Sequence, residues 1–255
     1  ARGAAPRGAA GGGRREARPG GAMPDPATQL ILFLGFLCMT SATFGYEFIP
    51  TVDTRRFHYV AMAMTGCCAV GYLAMYCGAG RVTVEGRDVF WMRYVDWLVA
   101  TETFLFGLTM LSGTTWRHAL YVLGLDFVGV ACALVGAMIP AVKVPAFVLG
   151  AVVFALYNVT LFGPMQASAA LLGDGVARRY KRICTFAMAS WCVYPCLYML
   201  CEMTRSVGET AEVLLYAICD CNAKCVVAVG LLYSPAILRD VAGGSETGKR
   251  RLLGP

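Results

Sequence analysis

The hydrophobic positions of this chain fall into long apolar runs that are separated by short polar connectors. A helix needs about 20 apolar residues to cross the hydrocarbon of a bilayer, and seven runs reach that length. Because the connectors are too short to fold independently, the pattern predicts an all-α, seven-transmembrane-helix bundle that forms one domain over residues 28–235. The predicted spans lie near 28–49, 57–77, 90–111, 118–140, 145–170, 183–203 and 211–235.

The two ends of the chain differ from this apolar body. Residues 1–27 are rich in Gly, Ala and Arg, cannot build a core, and are predicted to form a disordered tail. Met23 would make a natural start, so residues 1–22 are interpreted as a targeting remnant or as upstream read-through. Residues 236–255 are predicted to form a short basic cytoplasmic tail.

Composition supports a membrane class. The chain is 58% hydrophobic and only 15% charged, whereas about a quarter of the residues in a soluble domain are charged. We therefore expect a multi-pass integral protein of the plasma membrane or of an internal membrane, with the lipid bilayer as its partner and no nucleic-acid partner; the sequence leaves homo-oligomer formation open. Most of the twelve Cys lie in apolar runs and are expected to be buried free thiols rather than zinc ligands.

The Lys and Arg residues of the connectors indicate an orientation. If the N-terminus is outside, eleven of them fall on the cytoplasmic side and four fall outside, whereas the five Arg of the N-terminal tail oppose this arrangement. Cytoplasmic loops carry an excess of Lys and Arg. The sequence therefore predicts an outside N-terminus and a cytoplasmic C-terminus.

Several ionisable residues lie inside the predicted spans, where a charge without a partner is costly and usually functional. Lys224 lies too deep in the seventh span to reach either surface, and Asp220 precedes it by four residues on the same helical face. With Arg93 and Asp96 these residues are expected to form a neutral cluster of four; the alternative is an ion-pair cluster that only fixes helix register. The full set is Arg93, Asp96, Glu102, Asp126, Glu202, Glu212, Asp220 and Lys224.

Aromatic residues accompany this cluster. Such residues at helical spacing usually fill a core, but a buried lysine amine can form a Schiff base with a carbonyl compound. We therefore expect the aromatic side chains to line a slot for a long, flat, apolar aldehyde. They are Tyr72, Trp97, Trp191, Tyr194 and Tyr198, with Pro195 among them.

Three motifs, "RYVDWL", "WCVYP" and "DCNAK", lie in that order on the third, sixth and seventh spans. In this arrangement the chain resembles the microbial (type 1) rhodopsins, bacteriorhodopsin-like and channelrhodopsin-like retinal proteins, over 28–235. The resemblance implies all-trans retinal on Lys224 as a protonated Schiff base. It also implies Asp96 and Asp220 as counterions, with Asp96 as the main counterion and first proton acceptor, and Arg93 as a gating arginine.

The same resemblance assigns roles to the aromatic residues. It implies that Trp97 and Trp191 sandwich the retinal polyene and that Tyr72 and Tyr194 hydrogen-bond to Asp220. It implies that Pro195 lets the sixth helix bend. Thr101 and Asp126 match a pair that controls open-state lifetime in channelrhodopsins, although pumps carry the pair too, and Tyr198 is counted with the retinal-binding residues.

Function depends on where the chain departs from this family. Outward proton pumps of this type carry Asp, Thr and a second carboxylate along the third helix, and the matching residues here are Asp96, Ala100 and Gly107. Glycine cannot return a proton to the Schiff base, so we expect a slow photocycle. Glu212 matches a proton-release carboxylate and Glu202 lies close to its partner; the alternative is that both are solvated acids at a loop edge.

The sequence thus favours a photoreceptor that moves protons or small ions with channel-like or slow transport behaviour, and not an enzyme. The alternatives are an outward light-driven proton pump, a sensory rhodopsin with a separate signalling partner, and a solute transporter with a structural lysine. The second span lacks the glutamates of algal cation channels. Glu102 stands at a position where the rhodopsins that this chain resembles commonly have proline. It is expected to be protonated and hydrogen-bonded, and the alternatives are a proton carrier or a pore-lining group.

Overall fold

The computed structural model describes residues 23–49 and 55–232, and within them seven helices are long and apolar enough to cross a membrane. The predicted all-α bundle of seven spans is therefore confirmed. The predicted tails fall largely, and residues 233–235 entirely, outside the described residues. The helices are α1 Pro26–Phe48, α2 Arg56–Tyr76, α3 Trp91–Ser112, α4 Trp116–Met138, α5 Pro140–Ala170, α6 Asp174–Met203 and α7 Glu209–Leu232.

The helices form a closed ring in which each packs against the next along the chain and α7 returns to α1. Helix α3 also contacts α5 and α6, and more than half of its apolar window is buried. Long apolar helices suit hydrocarbon because every backbone group inside them is hydrogen-bonded within the helix. The ring therefore places α3 at the centre of the bundle, where its charged residues can meet those of α7.

A small β-hairpin lies between α2 and α3 and was not predicted. Strands β1 (Val82–Val84) and β2 (Arg87–Val89) are antiparallel, and the loop residues Glu85 and Gly86 both have positive φ. Two residues of positive φ make the type I′ turn that suits the twist of a hairpin. The end of the bundle that carries these strands is called the hairpin end below, and the other is called the far end.

Helix α6 begins at Asp174, nine residues before the start predicted at 183. This first part was interpreted as a connector because of its basic residues, and that interpretation is wrong. Val176 and Tyr180 face the core, whereas Arg178 and Lys181 are exposed. Such spacing gives an amphipathic helix, which extends the span beyond its apolar portion. Helix α5 likewise begins at Pro140, before the predicted 145.

Three helices contain π-helical segments: Leu161–Met165 in α5, Met199–Met203 in α6 and Cys221–Val226 in α7. Single π turns inside α-helices occur often at functional sites. The segment in α5 includes Pro164, which removes one backbone donor. The segment in α7 contains Lys224, so the turn that bears the buried amine is wider than an ordinary α-turn.

Helix α1 begins with a side-chain cap. The Asp25 carboxylate accepts hydrogen bonds from the backbone amides of Ala27 and Thr28 and from the hydroxyls of Thr28 and Thr210. Of these, the Thr28 hydroxyl contributes most, and together the bonds hold the pKa of the Asp25 carboxyl below its usual range. The contact with Thr210 also joins the beginnings of α1 and α7.

The cysteines are less buried than the sequence predicted. Cys68, Cys184 and Cys201 are buried, but Cys38, Cys192 and Cys196 are exposed on the outside of the bundle. The prediction of burial is therefore wrong for these last three. A thiol is small and weakly polar, so a cysteine can face either lipid or the core of the bundle. The apolar pattern of the sequence does not distinguish these two positions.

Candidate functional site

Lys224 of α7 lies between two carboxylates. Its Nζ is 2.7 Å from Asp220 Oδ1 and 3.5 Å from Asp96 Oδ2, and all three side chains are buried. Asp220 lies one helical turn before Lys224, and Asp96 comes from the central helix α3. The group contains two carboxylates and one amine. Transfer of a proton from the amine to one carboxylate would reduce the number of buried charges from three to one.

Asp220 is the more firmly held carboxylate. Tyr72 Oη donates to its Oδ2 at 2.7 Å, Tyr194 Oη donates to its Oδ1 at 2.7 Å, and Trp97 Nε1 donates to Oδ1 at 3.0 Å. The two tyrosine hydrogen bonds implied by the resemblance are thus present. These three donors therefore fix the position of the Asp220 carboxyl group beside Lys224.

Asp96 is held differently. Its Oδ1 is buried without a hydrogen-bond partner among the described residues, its Oδ2 has the longer contact with Lys224, and the Cys68 thiol lies beside the carboxyl group. A carboxylate with one unpartnered oxygen is poorly stabilised as an anion. Although Asp220 lies nearer to Nζ, Asp96 is therefore the carboxylate that gains more by accepting a proton.

A cavity opens beside Lys224 and passes between α3, α4, α5 and α6. Its wall is mainly apolar and aromatic, with Trp97 and Trp191 among its residues, and Lys224 is the one lysine of the described residues that lines it. All the predicted cofactor contacts except Tyr72 lie in this lining: Trp97, Thr101, Asp126, Trp191, Tyr194, Pro195, Tyr198 and Lys224.

Arg93 does not join the lysine cluster. Its Nη1 is 2.8 Å from Glu212 Oε1, and Arg87 Nη2 of β2 is 2.5 Å from Glu212 Oε2. The predicted neutral cluster of four is therefore wrong: there are two separate groups, one around Lys224 and one around Glu212. Arg87 was missed because nothing in its sequence context showed that the hairpin would fold over the end of α7.

The acids of the hairpin end are not solvated. Glu212 is 2% exposed and Glu202 is 4% exposed, so the interpretation of both as loop-edge acids is wrong. Lys143 at the start of α5 is also buried, and its Nζ donates to the backbone carbonyl oxygen of Glu202 at 2.9 Å. This contact ties the start of α5 to the π-helical end of α6.

Thr101 and Asp126 meet as a pair between α3 and α4, because Thr101 Oγ1 donates to Asp126 Oδ2 at 2.5 Å. Neighbouring Glu102 is half-buried on a different face of α3. Its carboxyl makes no hydrogen bond to another residue in the described part of the chain, so the expectation of a hydrogen-bonded Glu102 is wrong. The structure leaves it accessible to the bundle surface.

The far half of the bundle is closed by apolar side chains around Gly107. A Cβ atom placed on Gly107 would lie 2.9 Å from Val60 Cγ1 and 3.5 Å from Leu231 Cδ2. We call Val60, Gly107 and Leu231 the apolar plug. The parts of α2, α3, α6 and α7 that lie in this half, 56–71, 103–112, 175–190 and 225–232, contain no Asp or Glu, whereas Glu47 and Asp174 lie at its outer edge.

The sequence matches the profile of the bacteriorhodopsin-like protein family over residues 26–238. The chain belongs to that family. It is also 31% identical over 196 residues to sensory rhodopsin-2 of Natronomonas pharaonis, covering 76% of this chain and 82% of the relative. With archaerhodopsin-1 of Halorubrum ezzemoulense it shares 27% identity over 222 residues, covering 83% and 85%.

Solved structures of rhodopsins have the same fold. The thermophilic rhodopsin from Rubrobacter xylanophilus superposes with a TM-score of 0.80 at 26% identity, covering 85% of this chain and all of that one. A light-driven proton pump from Leptosphaeria maculans superposes with a TM-score of 0.79 at 22% identity, covering 86% and 98%. This rhodopsin is therefore an integral multi-pass membrane protein.

Rhodopsins of this family bind retinal through a lysine Schiff base, and retinal is the cofactor of this chain. The site fits such a group on three counts. The cavity is long and apolar, it holds a single lysine among the described residues, and the unpartnered Asp96 Oδ1 lies beside that lysine. A cationic nitrogen between Asp96 and Asp220 would offset the charge of one of the two carboxylates.

Glu212→Gln is expected to lower stability by about 3–5 kcal/mol, because it leaves the buried Arg93 and the partly buried Arg87 without their carboxylate. Thermal unfolding in detergent or nanodiscs measures the change. The exposed Glu209, on the same helix, provides the control Glu209→Gln, which should unfold close to wild type. If Glu212→Gln unfolds like this control, the two arginines have other partners.

Proposed function

We propose that this rhodopsin is a light-activated protein that moves protons slowly across the membrane, with Lys224 as the retinal attachment site. The observation that carries the proposal is an asymmetry along the bundle. A proton acceptor, Asp96, lies beside Lys224, whereas the apolar plug offers no carboxylate from which the lysine nitrogen could recover its proton.

In this proposal retinal, when bound, supplies the absorption of light and a change of shape on illumination. The residues of the chain do the rest. Asp220 is held in place by three donors, and Asp96 takes the proton that leaves the Lys224 nitrogen. Trp97 and Trp191 line the cavity and restrict how the bound group can move.

Beyond Asp96, the outward path differs from a simple release site. Glu212 is ion-paired with two arginines, one at each carboxylate oxygen. With both oxygens occupied by guanidinium groups, this side chain is better placed to tie two elements together than to exchange a proton. We therefore propose that Glu212 and its arginines fix the hairpin to α7, and that protons leave this end late, after Asp96 gives up its own.

The names of the relatives are compatible with slow movement and with signalling. One similar structure is described as a light-driven proton pump, and the relative from Natronomonas is named a sensory rhodopsin. Both classes begin from the same lysine chemistry. The apolar plug supports a long cycle here, whichever of the two classes this rhodopsin belongs to.

A channel-like function is the second candidate. It is favoured by the 2.5 Å contact between Thr101 and Asp126, the pair that matches the open-state control of channelrhodopsins. The buried face of α2 speaks against a wide ion pore. Among its described residues, that face carries Thr65, His58 and Tyr72 as polar groups but no Asp, Glu, Lys or Arg.

Voltage-clamp recording of light-induced current in cells supplied with retinal tests the proposal. Slow proton transport predicts a small current that keeps one direction at zero driving force and does not reverse with the proton gradient. A current that reverses at the equilibrium potential of an ion would establish the channel instead. Absence of any current in a well-expressed, coloured protein would leave the sensory function.

Asp96→Asn is expected to shift the visible absorption to longer wavelength and to suppress loss of the proton from the Lys224 nitrogen, because the nearest free acceptor is removed. Absorption spectra and flash photolysis measure both effects. Glu102→Gln is the control on the same helix and should leave the spectrum unchanged. An unaltered spectrum and cycle in Asp96→Asn would transfer the acceptor role to Asp220 or Glu102.

A further inference from the structure

Two thiols meet on the outside of the bundle where α1 packs against α7. Cys38 Sγ of α1 lies 3.3 Å from Cys221 Sγ of α7, and Cys38 is exposed while Cys221 is partly exposed. A disulfide bond is about 2.05 Å long, so the sulfurs need to approach by only about 1.3 Å. We propose that this pair is an oxidation site, at which a lipid hydroperoxide converts the two thiols to a disulfide.

The depth of the pair identifies the class of oxidant. Cys38 is twelve residues after Pro26 in α1, which places it about 18 Å along the helix axis and thus well inside the hydrocarbon layer. Water-soluble disulfides such as oxidised glutathione do not enter that layer. Lipid hydroperoxides form on the acyl chains themselves and therefore reach Cys38 from the side.

The step balances with the peroxide as the oxidant. Cys38 Sγ attacks the terminal peroxide oxygen, the O–O bond breaks, and the thiol proton passes to the departing lipid alcohol. Cys221 Sγ then displaces water from the sulfenic acid to form the S–S bond, and its proton leaves in that water. Two electrons pass from the two sulfurs to the peroxide, which is reduced to an alcohol and water.

The pairing is selective among nearby cysteines. Cys225, one turn further along α7, also lies near Cys38, and its Sγ contacts Met39 Sδ at 3.6 Å. Cys219 is only partly exposed and packs with the aromatic group around Tyr194 and Tyr216. Cys221 is the thiol of α7 that makes the 3.3 Å sulfur contact with Cys38, and it is therefore the expected partner in the disulfide.

This position gives the disulfide a consequence for the site. Cys221 directly follows Asp220 and begins the π-helical segment that contains Lys224. A bond to α1 would fasten this turn to a neighbouring helix. The oxidised protein is therefore expected to recover more slowly after light, by at least about twofold, because movement of α7 is restricted.

The test uses the full chain with retinal in nanodiscs and cumene hydroperoxide as an apolar peroxide. Mass spectrometry of the digested protein should show the Cys38 and Cys221 peptides joined, with loss of two hydrogen atoms, and a reductant should reverse the change. Cys38→Ser and Cys221→Ser should each abolish the cross-link, whereas the matched control Cys219→Ser should retain it.

The mass measurement does not depend on light. It therefore tests the disulfide even if the proposed proton transport is wrong. Oxidation of Cys38 alone to sulfinic acid, or a cross-link from Cys38 to Cys225, would overturn the proposed pair. Flash photolysis before and after oxidation tests the consequence. A disulfide with unchanged recovery, or slowing that persists in Cys38→Ser, would overturn control of the cycle by this bond.

Discussion

Lys224→Ala is expected to remove the visible absorption of the protein completely when all-trans retinal is added. The Nζ atom is the one lysine amine among the described residues that lines the apolar cavity, and an aldehyde forms a Schiff base only with a primary amine. Free retinal absorbs at shorter wavelength than the protonated, lysine-bound form. Titration of the purified variant with retinal, followed by absorption spectroscopy, measures the loss.

Two further variants make this result interpretable. Lys143→Ala removes a lysine that is also buried but donates to the Glu202 carbonyl, and it should retain the visible band. Lys224→Ala combined with Asp96→Asn removes a carboxylate that the single variant leaves unpaired, and it should restore stability without restoring colour. A visible band in either Lys224→Ala protein would assign the attachment to another residue.

Recovery of the dark state is expected to slow about tenfold for each unit of pH increase, because protons must come from bulk water across the apolar plug. Gly107 cannot hold a proton, and its neighbours Val60 and Leu231 are apolar. Flash photolysis at several pH values measures the slope. A fast recovery independent of pH would show an internal donor, with Glu102 and the buried His58 as the first residues to test.

An engineered donor should reverse this behaviour. Gly107→Asp places a carboxyl in the plug, but its Cβ would approach Val60 Cγ1 to 2.9 Å, so we combine it with Val60→Ala. The pair should speed recovery and flatten its dependence on pH. Val60→Ala alone and Val60→Ala with Gly107→Ala are the controls, and they separate the carboxyl from simple loosening of the plug.

The seven spans could be predicted because a helix that crosses hydrocarbon must be apolar along its length, and a continuous apolar run is visible in the sequence. The spacing of Asp220 and Lys224 also placed both on one face before any contact was known. The start of α6 was missed because the segment before 183 is amphipathic. Its polar residues interrupt the apolar run by which a span is recognised.

The partners of the charged residues could not be predicted in the same way. Arg93 was expected beside Asp96, which is close in sequence, but its guanidinium reaches Glu212 on α7. That contact depends on how far α3 and α7 are shifted along their axes and on the fold of the hairpin that brings Arg87. Neither the axial shift of the helices nor the fold of the hairpin can be inferred from a local sequence pattern. The three residues of β2 are also too few to show which of them contacts α7.

The apolar plug also has an electrical consequence. A proton that crosses the far half of the bundle carries one charge through a large part of the membrane field, since the parts of α2, α3, α6 and α7 around the plug offer no carboxylate on the way. A full crossing is worth about 2.3 kcal/mol per 100 mV, so half of it is worth about 1 kcal/mol. The resting voltage of a cell would therefore adjust how long the protein remains in its illuminated form, with one polarity shortening that time and the other extending it.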